Sequence, residues 1–155
     1  MDGLPPIVDL RQSATALRVQ RGVMRLLRQA HDFCCYAEVP LRNGRRADVL
    51  GVGPGGEVWI VEIKSSVEDL RADRKWPDYR RHCDRLFFAT HPGVPTDLFP
   101  PATGLILADG FNAEIVREAP EHRMPPATRR ALTLRFAHVA ARRFQHLADP
   151  GLAAL

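Results

Sequence analysis

The stretch RRADVLGVGPGGEVWIVEIKSS, residues 45 to 66, decides the fold. It predicts two strands around a tight turn at residues 54–56, because Pro and Gly form turns and the flanking runs are rich in Val and Ile. The second strand is apolar on both alternating faces for most of its length, which predicts a central strand covered on both sides. Asp48, Glu62 and Lys64 nevertheless place three ionisable groups in these apolar runs.

Burying a carboxylate is costly unless it is paired, hydrogen-bonded or bound to a metal. An ion pair between Glu62 and Lys64 is one explanation, but residues two apart on a strand lie about 6–7 Å apart, which is loose for a salt bridge. If Asp48 faces Glu62, the two carboxylates repel, and a hard divalent cation relieves that repulsion. A lysine beside such a cation can hold the attacking water or stabilise charge at phosphorus. The spacing is short and chance matches are common, so it leaves both explanations open.

The length of the turn decides whether Asp48 can face Glu62. A two-residue loop at positions 54 and 55 pairs Asp48 with Val61 and turns its side chain away from Glu62. A three-residue loop over 54–56 pairs Asp48 with Glu62, and glycine at position 56 suits the left-handed residue that closes such a loop. We therefore predict the three-residue loop, with Lys64 on the same face one pleat further on.

The remaining pattern predicts an α/β fold with a mixed β-sheet flanked by helices. Short turns between the first three strands predict an antiparallel meander, and the helical crossover that follows predicts a parallel fourth strand. Ser65 with Glu68, or Ser66 with Asp69, has the capping-box spacing that starts a helix. The predicted helices cover about 10–31, a segment ended by Pro77, 78–83 and 126–147, and the predicted strands cover 34–41, 46–52, 57–64, 86–90, 105–108 and 113–116.

Composition is typical of one soluble globular domain, with 155 residues, 45% apolar and 26% charged. We expect a lead-in over 1–9, a domain over 10–148 and a tail over 149–155. The net charge of +4 mildly favours an anionic partner such as nucleic acid. Three cysteines, two of them adjacent, argue against a disulfide framework and favour the reducing cytoplasm, and their spacing matches no standard zinc pattern. No signal peptide or membrane-spanning run is predicted.

Arginines recur along the first predicted helix, opposite its apolar side. Arg18, Arg21, Arg25 and Arg28 follow helical spacing, and no acidic residue occurs between Asp9 and Asp32. The stripe is either a solvated face or a surface that contacts phosphates, and the sequence leaves both interpretations open.

Asp48, followed fourteen residues later by Glu62-Ile63-Lys64, resembles the core of the PD-(D/E)XK nuclease superfamily. A longer set of segments is similar to the MmcB-type family of bacterial DNA-repair proteins, over about residues 10–148. Those segments are 46–49, 57–69, 75–79, 83–89 and 117–121. The resemblance implies a restriction-endonuclease-like fold and a DNA endonuclease that uses Mg²⁺ (or Mn²⁺) and acts in repair.

The resemblance also assigns roles to the motif. It implies that Asp48 and Glu62 bind the metal, together with the carbonyl of Ile63, and that Lys64 positions or activates water. Several members of the superfamily carry a further metal-binding Glu on the first helix, and this chain has none there. Glu38 on the first strand is the nearest candidate, either as an accessory ligand or as an exposed strand residue.

Nucleic-acid contacts are expected from Arg21, Arg25, Arg46, Lys75 and Tyr79. Lys75 and Tyr79 have the spacing of a Gln and a Tyr near the scissile phosphate in some nucleases of the superfamily. The alternative is a surface lysine and a half-buried tyrosine. DNA is the expected partner, and homodimerisation is left open. Two other functions remain open as well: a catalytically silent DNA-binding repair factor, and a nuclease of the same fold directed at RNA.

Overall fold

Six strands form one mixed sheet in the computed structural model, which describes residues 12–152. The spatial order of the strands is their order along the chain. The strands are β1 Cys34–Pro40, β2 Arg46–Val52, β3 Val58–Ile63, β4 Arg85–Thr90, β5 Gly104–Ala108 and β6 Ala113–Arg117.

The directions of the strands follow the lengths of their connections. Short turns join β1, β2 and β3, which pair antiparallel. Longer crossovers precede β4 and β5, so β3, β4 and β5 run parallel, and β6 returns antiparallel at the edge. This α/β arrangement is the restriction-endonuclease-like fold, and the predicted meander and parallel neighbour are confirmed.

Helices cover both faces of the sheet. Helix α1, Ala14–His31, packs on one face, and α3, Pro126–Ala148, packs on the other together with a 3₁₀ helix, Trp76–His82. Between β3 and that 3₁₀ helix lies the short α2, Val67–Ala72. A single 3₁₀ turn, Thr96–Leu98, interrupts the Pro-rich loop before β5.

The two faces of β3 pack into two separate hydrophobic cores. All six residues of β3 are buried, as expected for a central strand covered on both sides. Trp59, Val61 and Ile63 pack with Val19, Val23 and Leu27 of α1. Val58 and Ile60 pack on the opposite face with Leu50, Tyr79, Leu86 and Leu132.

The β2–β3 turn has the predicted three-residue loop. Val52 pairs with Val58, and the amide of Gly53 donates to the carbonyl of Glu57 at 2.8 Å. Gly56 has a φ of +87°, the left-handed conformation that glycine adopts without a steric penalty. The same register continues to Val49 and Val61, which places Asp48 opposite Glu62.

Two expected helices needed correction, and the choice between two capping pairs is now settled. Helix α1 begins at Ala14 rather than near residue 10, because the Ser13 side chain caps it by accepting from the Ala16 amide at 3.0 Å. The segment expected as a helix over 78–83 is the 3₁₀ helix Trp76–His82, and Pro77 lies in its first turn instead of ending the element before it. Of the two capping pairs, Ser66 with Asp69 starts α2.

The expected lead-in, residues 1–9, lies outside the described residues, as do the last three residues of the expected tail. Within residues 12–152, no helix has the length and apolar character that crossing a bilayer requires.

Candidate active site

Asp48 and Glu62 hold each other in place through the backbones of β2 and β3. Oδ2 of Asp48 accepts a hydrogen bond from the Ile63 amide at 2.8 Å, and Oε1 of Glu62 accepts one from the Asp48 amide at 3.2 Å. Each carboxylate therefore has one oxygen fixed by the strand opposite to its own. The predicted proximity of these two side chains is confirmed.

The pair opens into a cleft of about 590 Å³ at the carboxyl end of β3. The N-terminal end of α1 forms one wall, and the start of α2 forms another. The lining includes Gln12, Ser13, Ala16, Asp48, Glu62, Ile63, Lys64, Ser65, Ser66, Glu68 and Asp69. Lys64 thus reaches the same cleft as both carboxylates.

Burial and mutual repulsion disfavour a second charge on the pair. Desolvation raises the pKa of Glu62 well above its usual value, and the charge of Asp48 raises it further. Desolvation likewise raises the pKa of Asp48, against the opposing effects of the Ile63 amide and Lys64. A cation placed between the two carboxylates would remove this penalty.

Lys64 forms an ion pair with Asp73, at 2.8 Å between Nζ and Oδ2. Both side chains are about one-tenth exposed. Burial lowers the pKa of Lys64, but the hydrogen bond and charge of Asp73 outweigh burial, so the pKa of Lys64 is raised. The lysine is consequently an ammonium that donates hydrogen bonds rather than a neutral base.

Sequence analysis missed Asp73, although it holds the lysine of the motif. Its Oδ1 accepts from the amides of Lys75 and Trp76 at 2.7 and 3.1 Å, which leaves Oδ2 for Lys64. The Lys64 backbone is fixed as well, since its amide donates to the Ala89 carbonyl at 2.9 Å. The only hint in the sequence is an acidic residue just after α2, a position with no fixed spacing from the motif.

Glu38 lies opposite Asp48 in the β1–β2 register and has a φ of +55°. Its carboxylate contacts the guanidinium of Arg46 and accepts from Nε2 of Gln12 at 2.6 Å, while Arg143 of α3 donates to its backbone carbonyl at 2.6 Å. Glu38 is only 9% exposed, so the alternative of an exposed strand residue is wrong. Within residues 12–152, no three His, Cys, Asp or Glu side chains form a metal-binding group. The role of Glu38 as an accessory metal ligand stays a prediction.

For Lys75 and Tyr79, which follow α2, the structure favours the alternative interpretation of a surface lysine and a tyrosine that is not free to contact substrate. Lys75 is exposed, whereas Tyr79 is buried in the core beneath α3. The Tyr79 hydroxyl donates to the carbonyl of Arg46 at 3.0 Å, so the tyrosine anchors the start of β2. The expectation that Tyr79 contacts nucleic acid is corrected, because its ring is covered and its hydroxyl is engaged.

Arginines of the α1 stripe contact the hairpin between β5 and β6. The Arg21 guanidinium lies 5.6 Å from the centre of the Phe111 ring, and Arg25 donates to the Phe111 carbonyl at 3.4 Å. Arg28 pairs with Asp32 at 2.7 Å on the surface. Arg21 is exposed, so its predicted contact with phosphates stays a prediction.

The donor set of the cleft fits a hard divalent cation. Asp48 and Glu62 supply only oxygen atoms, which Mg²⁺ and Mn²⁺ prefer, and their raised pKa values reflect a charge conflict that such a cation relieves. Ile63 lines the same cleft, as a ligand through its carbonyl requires. Two protein carboxylates leave room for water and substrate oxygens, as is usual for Mg²⁺.

The fold and the carboxylate–lysine set define a restriction-endonuclease-like α/β protein. The sequence matches the family described as DNA repair protein MmcB-like over residues 4–151. The chain therefore belongs to the MmcB-like DNA repair protein family, as its resemblance predicted.

Two solved structures were compared with this chain. A protein of unknown function from Silicibacter pomeroyi, SPO1766, is 47% identical, with a TM-score of 0.86 over 93% of this chain and 98% of its own. A repair endonuclease from Pyrococcus abyssi is 17% identical, with a TM-score of 0.35 over 59% of this chain and 42% of its own, too low to carry an argument. No curated protein matches the sequence.

Proposed function

We propose that this protein is a metal-dependent DNA endonuclease that hydrolyses phosphodiester bonds during DNA repair. The observation that carries the proposal is the placement of Asp48 opposite Glu62, with Lys64 lining the same cleft. Two acidic groups and an ammonium around open space suit phosphodiester hydrolysis, in which negative charge builds up on the phosphate.

Asp48 and Glu62 would hold Mg²⁺ or Mn²⁺, helped by the carbonyl of Ile63. When bound, the cation would polarise the phosphate and make water a better nucleophile. The backbone amides of Ile63 and Asp48 orient the two carboxylates before any ligand arrives, so little reorganisation is needed.

Lys64 would act as a fixed ammonium. Asp73 holds Nζ from one side, and an ammonium has three N–H groups, so two remain for a water molecule or a phosphate oxygen. Its contribution is to orient the attacking water and to stabilise charge on the phosphate. Since Asp73 favours the charged form, Lys64 is not assigned the role of general base.

The experiment is cleavage of branched, nicked and single-stranded DNA in the presence of Mg²⁺ or Mn²⁺. We expect cleavage by the wild-type protein and none by Glu62→Gln. Glu114→Gln is a matched control, because Glu114 is exposed on the edge strand β6 and far from the motif in the sheet order. Equal cleavage by wild-type and Glu62→Gln protein would refute the proposal.

Two alternatives give different results in the same assay. A catalytically silent repair factor would bind DNA without cutting under any metal condition. An RNA-directed nuclease would cut RNA of matched sequence and leave DNA intact. Membership in a DNA repair family supports DNA over RNA, and the intact carboxylate–lysine set supports cleavage over silence.

The cytoplasm is the proposed location, in keeping with the free thiols of Cys34, Cys35 and Cys83. Homodimerisation is also a proposal. It is supported by apolar side chains exposed on α3, namely Leu134, Phe144 and Leu147. Sedimentation equilibrium would decide between a monomer and a dimer.

A further inference from the structure

A second pocket, of about 260 Å³, lies between α3 and the turn that joins β1 to β2. Arg42 reaches it from the turn, His82 from the end of the 3₁₀ helix, and Arg135 from α3. Ala127 and Ala131, one turn apart on α3, form part of its wall, and their small side chains leave the space open. No acidic residue lines this pocket.

The two arginines of the pocket have no acidic partner among the described residues. Five arginines of the described residues do form ion pairs with acidic side chains, as Arg45 does with Asp78 and Arg129 does with Asp84. Among residues 12–152, no hydrogen bond or ion pair engages the side chain of Arg42 or Arg135. Their positive charges converge on the pocket without compensation, which favours an anionic ligand.

The surface around the pocket is also positively charged. Helix α3 contains five arginines and no Asp or Glu over its 23 residues. The pocket therefore belongs to a basic surface on the sheet face opposite to α1. An extended polyanion fits such a surface better than an isolated small anion does.

The Arg42 side of the pocket lies at the same end of the sheet as the candidate active site. The β1–β2 turn immediately precedes β2, and Asp48 is the third residue of that strand. Tyr79 and Asp78 fasten the 3₁₀ helix to the beginning of β2 and to the turn. A strand whose scissile phosphate enters the carboxylate cleft can therefore continue around this end of the sheet toward the pocket.

We propose that Arg42 and Arg135, with His82, form a site that binds a backbone phosphate of DNA away from the bond that is cut. This inference rests on the proposed function and specifies how the substrate is held. A guanidinium pair can bind a phosphate through several parallel N–H donors, and Thr128 adds a hydroxyl to the same wall. The contact positions the strand and carries no sequence information.

The test compares Arg42→Gln/Arg135→Gln with Arg142→Gln/Arg130→Gln. The control variant also removes two arginine charges, both exposed on α3, without altering the pocket lining. Binding of a fluorescent single-stranded oligonucleotide is measured at several salt concentrations. We expect the pocket variant to bind at least about tenfold more weakly, and its salt dependence to fall by roughly 0.7 units of slope per lost phosphate contact. Its melting temperature should match that of the control.

Equal affinities and slopes for the pocket and control variants would overturn the inference, even if the wild-type protein cuts DNA. A protein that binds DNA through the pocket but never cuts would support it while refuting the nuclease proposal. Titration with inorganic phosphate, followed through the NMR signals of His82 and Thr128, distinguishes a site for a DNA backbone phosphate from a site for a free anion. Tight phosphate binding combined with unchanged DNA binding would identify a site for free anions and overturn the inference.

Discussion

Glu62 accepts a hydrogen bond from the backbone amide of Asp48, the residue opposite it on the neighbouring strand. Asp48 in turn accepts one from the amide of Ile63, so two acidic side chains are built into the central hairpin. Both are placed where ionisation is unfavourable in the metal-free protein. This arrangement reduces stability in the absence of a cation, which is typical of sites that bind one.

Glu62→Gln should stabilise the metal-free protein at neutral pH. Glutamine retains an oxygen that can accept from the Asp48 amide, and it removes the charge that repels Asp48. The pKa values of both carboxyls are raised on folding, so their favourable contribution is present at low pH and is lost as pH rises through the folded values. The advantage of Glu62→Gln should therefore grow between pH 4 and pH 8.

Thermal melts in the presence of a chelator measure this effect. Each kcal/mol gained corresponds to an increase of about 2–4 °C in melting temperature for a domain of this size. Glu114→Gln serves as the control, with a change near zero. A Glu62→Gln protein that melts clearly below the wild type at pH 7 would show that the carboxylate stabilises the fold.

Asp73→Asn should slow DNA cleavage without weakening DNA binding. Asparagine can still accept from the Lys75 and Trp76 amides, but it no longer holds Lys64 by charge. Loss of a fixed ammonium in the cleft should reduce kcat by about tenfold or more and leave KM nearly unchanged. Asp78→Asn is the matched control, because it breaks the exposed pair with Arg45 on the same segment. A parallel loss of kcat in both variants would assign the effect to the segment as a whole.

Asp84 is expected to be essential for stability rather than for chemistry. It is 3% exposed and accepts two hydrogen bonds from Arg129 at 2.6 Å, together with the amides of Val58 and Met124. Asp84→Asn should destabilise the protein by about 3 kcal/mol at pH 7, since it leaves Arg129 without its partner.

The pH dependence of the Asp84 variant should be opposite to that of Glu62→Gln. Burial acts to raise the pKa of Asp84, but Arg129 and the two amides outweigh it and lower the pKa. Its stabilising contribution is therefore present above the unfolded pKa and is lost as pH falls through the folded value. Denaturant unfolding at pH 7 and pH 3 should show the wild-type advantage shrinking with acidification. An advantage that stays constant across this range would contradict the assigned ion pair.

Arg21→Gln/Arg25→Gln tests the α1 stripe. If these arginines contact phosphates, DNA affinity should fall and the salt dependence should flatten by roughly 0.7–0.9 units of slope per contact. Both side chains contact Phe111, so a melting curve is needed to confirm that the β5–β6 hairpin remains folded. An unchanged slope in a folded variant would leave the stripe as a solvated face.

The central hairpin could be predicted because its geometry follows from local rules. Pro54 and two glycines specify a three-residue loop, the loop sets the register, and the register brings Asp48 opposite Glu62. Ser66 and Asp69 fixed the start of α2 in the same local way. Strand directions followed from the lengths of the connections.

The remaining parts of the site depend on contacts that have no sequence spacing. Asp73, just after α2, forms an ion pair with Lys64, which precedes α2. Asp84 forms an ion pair with Arg129, which lies 45 residues further along the chain. The resemblance implied that Tyr79 lies near the scissile phosphate, whereas tertiary packing buries its ring under α3, as the alternative interpretation indicated. The left-handed backbone of Glu38 could not be predicted from the neighbouring sequence. The residue that contacts its carbonyl, Arg143 of α3, lies more than 100 residues away in the chain.

Binding of Mn²⁺ to the wild-type protein, Asp48→Asn and Glu62→Gln, measured by electron paramagnetic resonance, tests the central claim most directly. This measurement does not depend on finding the right DNA substrate. We predict one bound Mn²⁺ per wild-type chain, loss of binding in both variants, competition by Mg²⁺, and unchanged binding in Glu114→Gln. Wild-type protein that binds no Mn²⁺, or variants that bind it as tightly as the wild type, would contradict the assignment of Asp48 and Glu62 as a metal site.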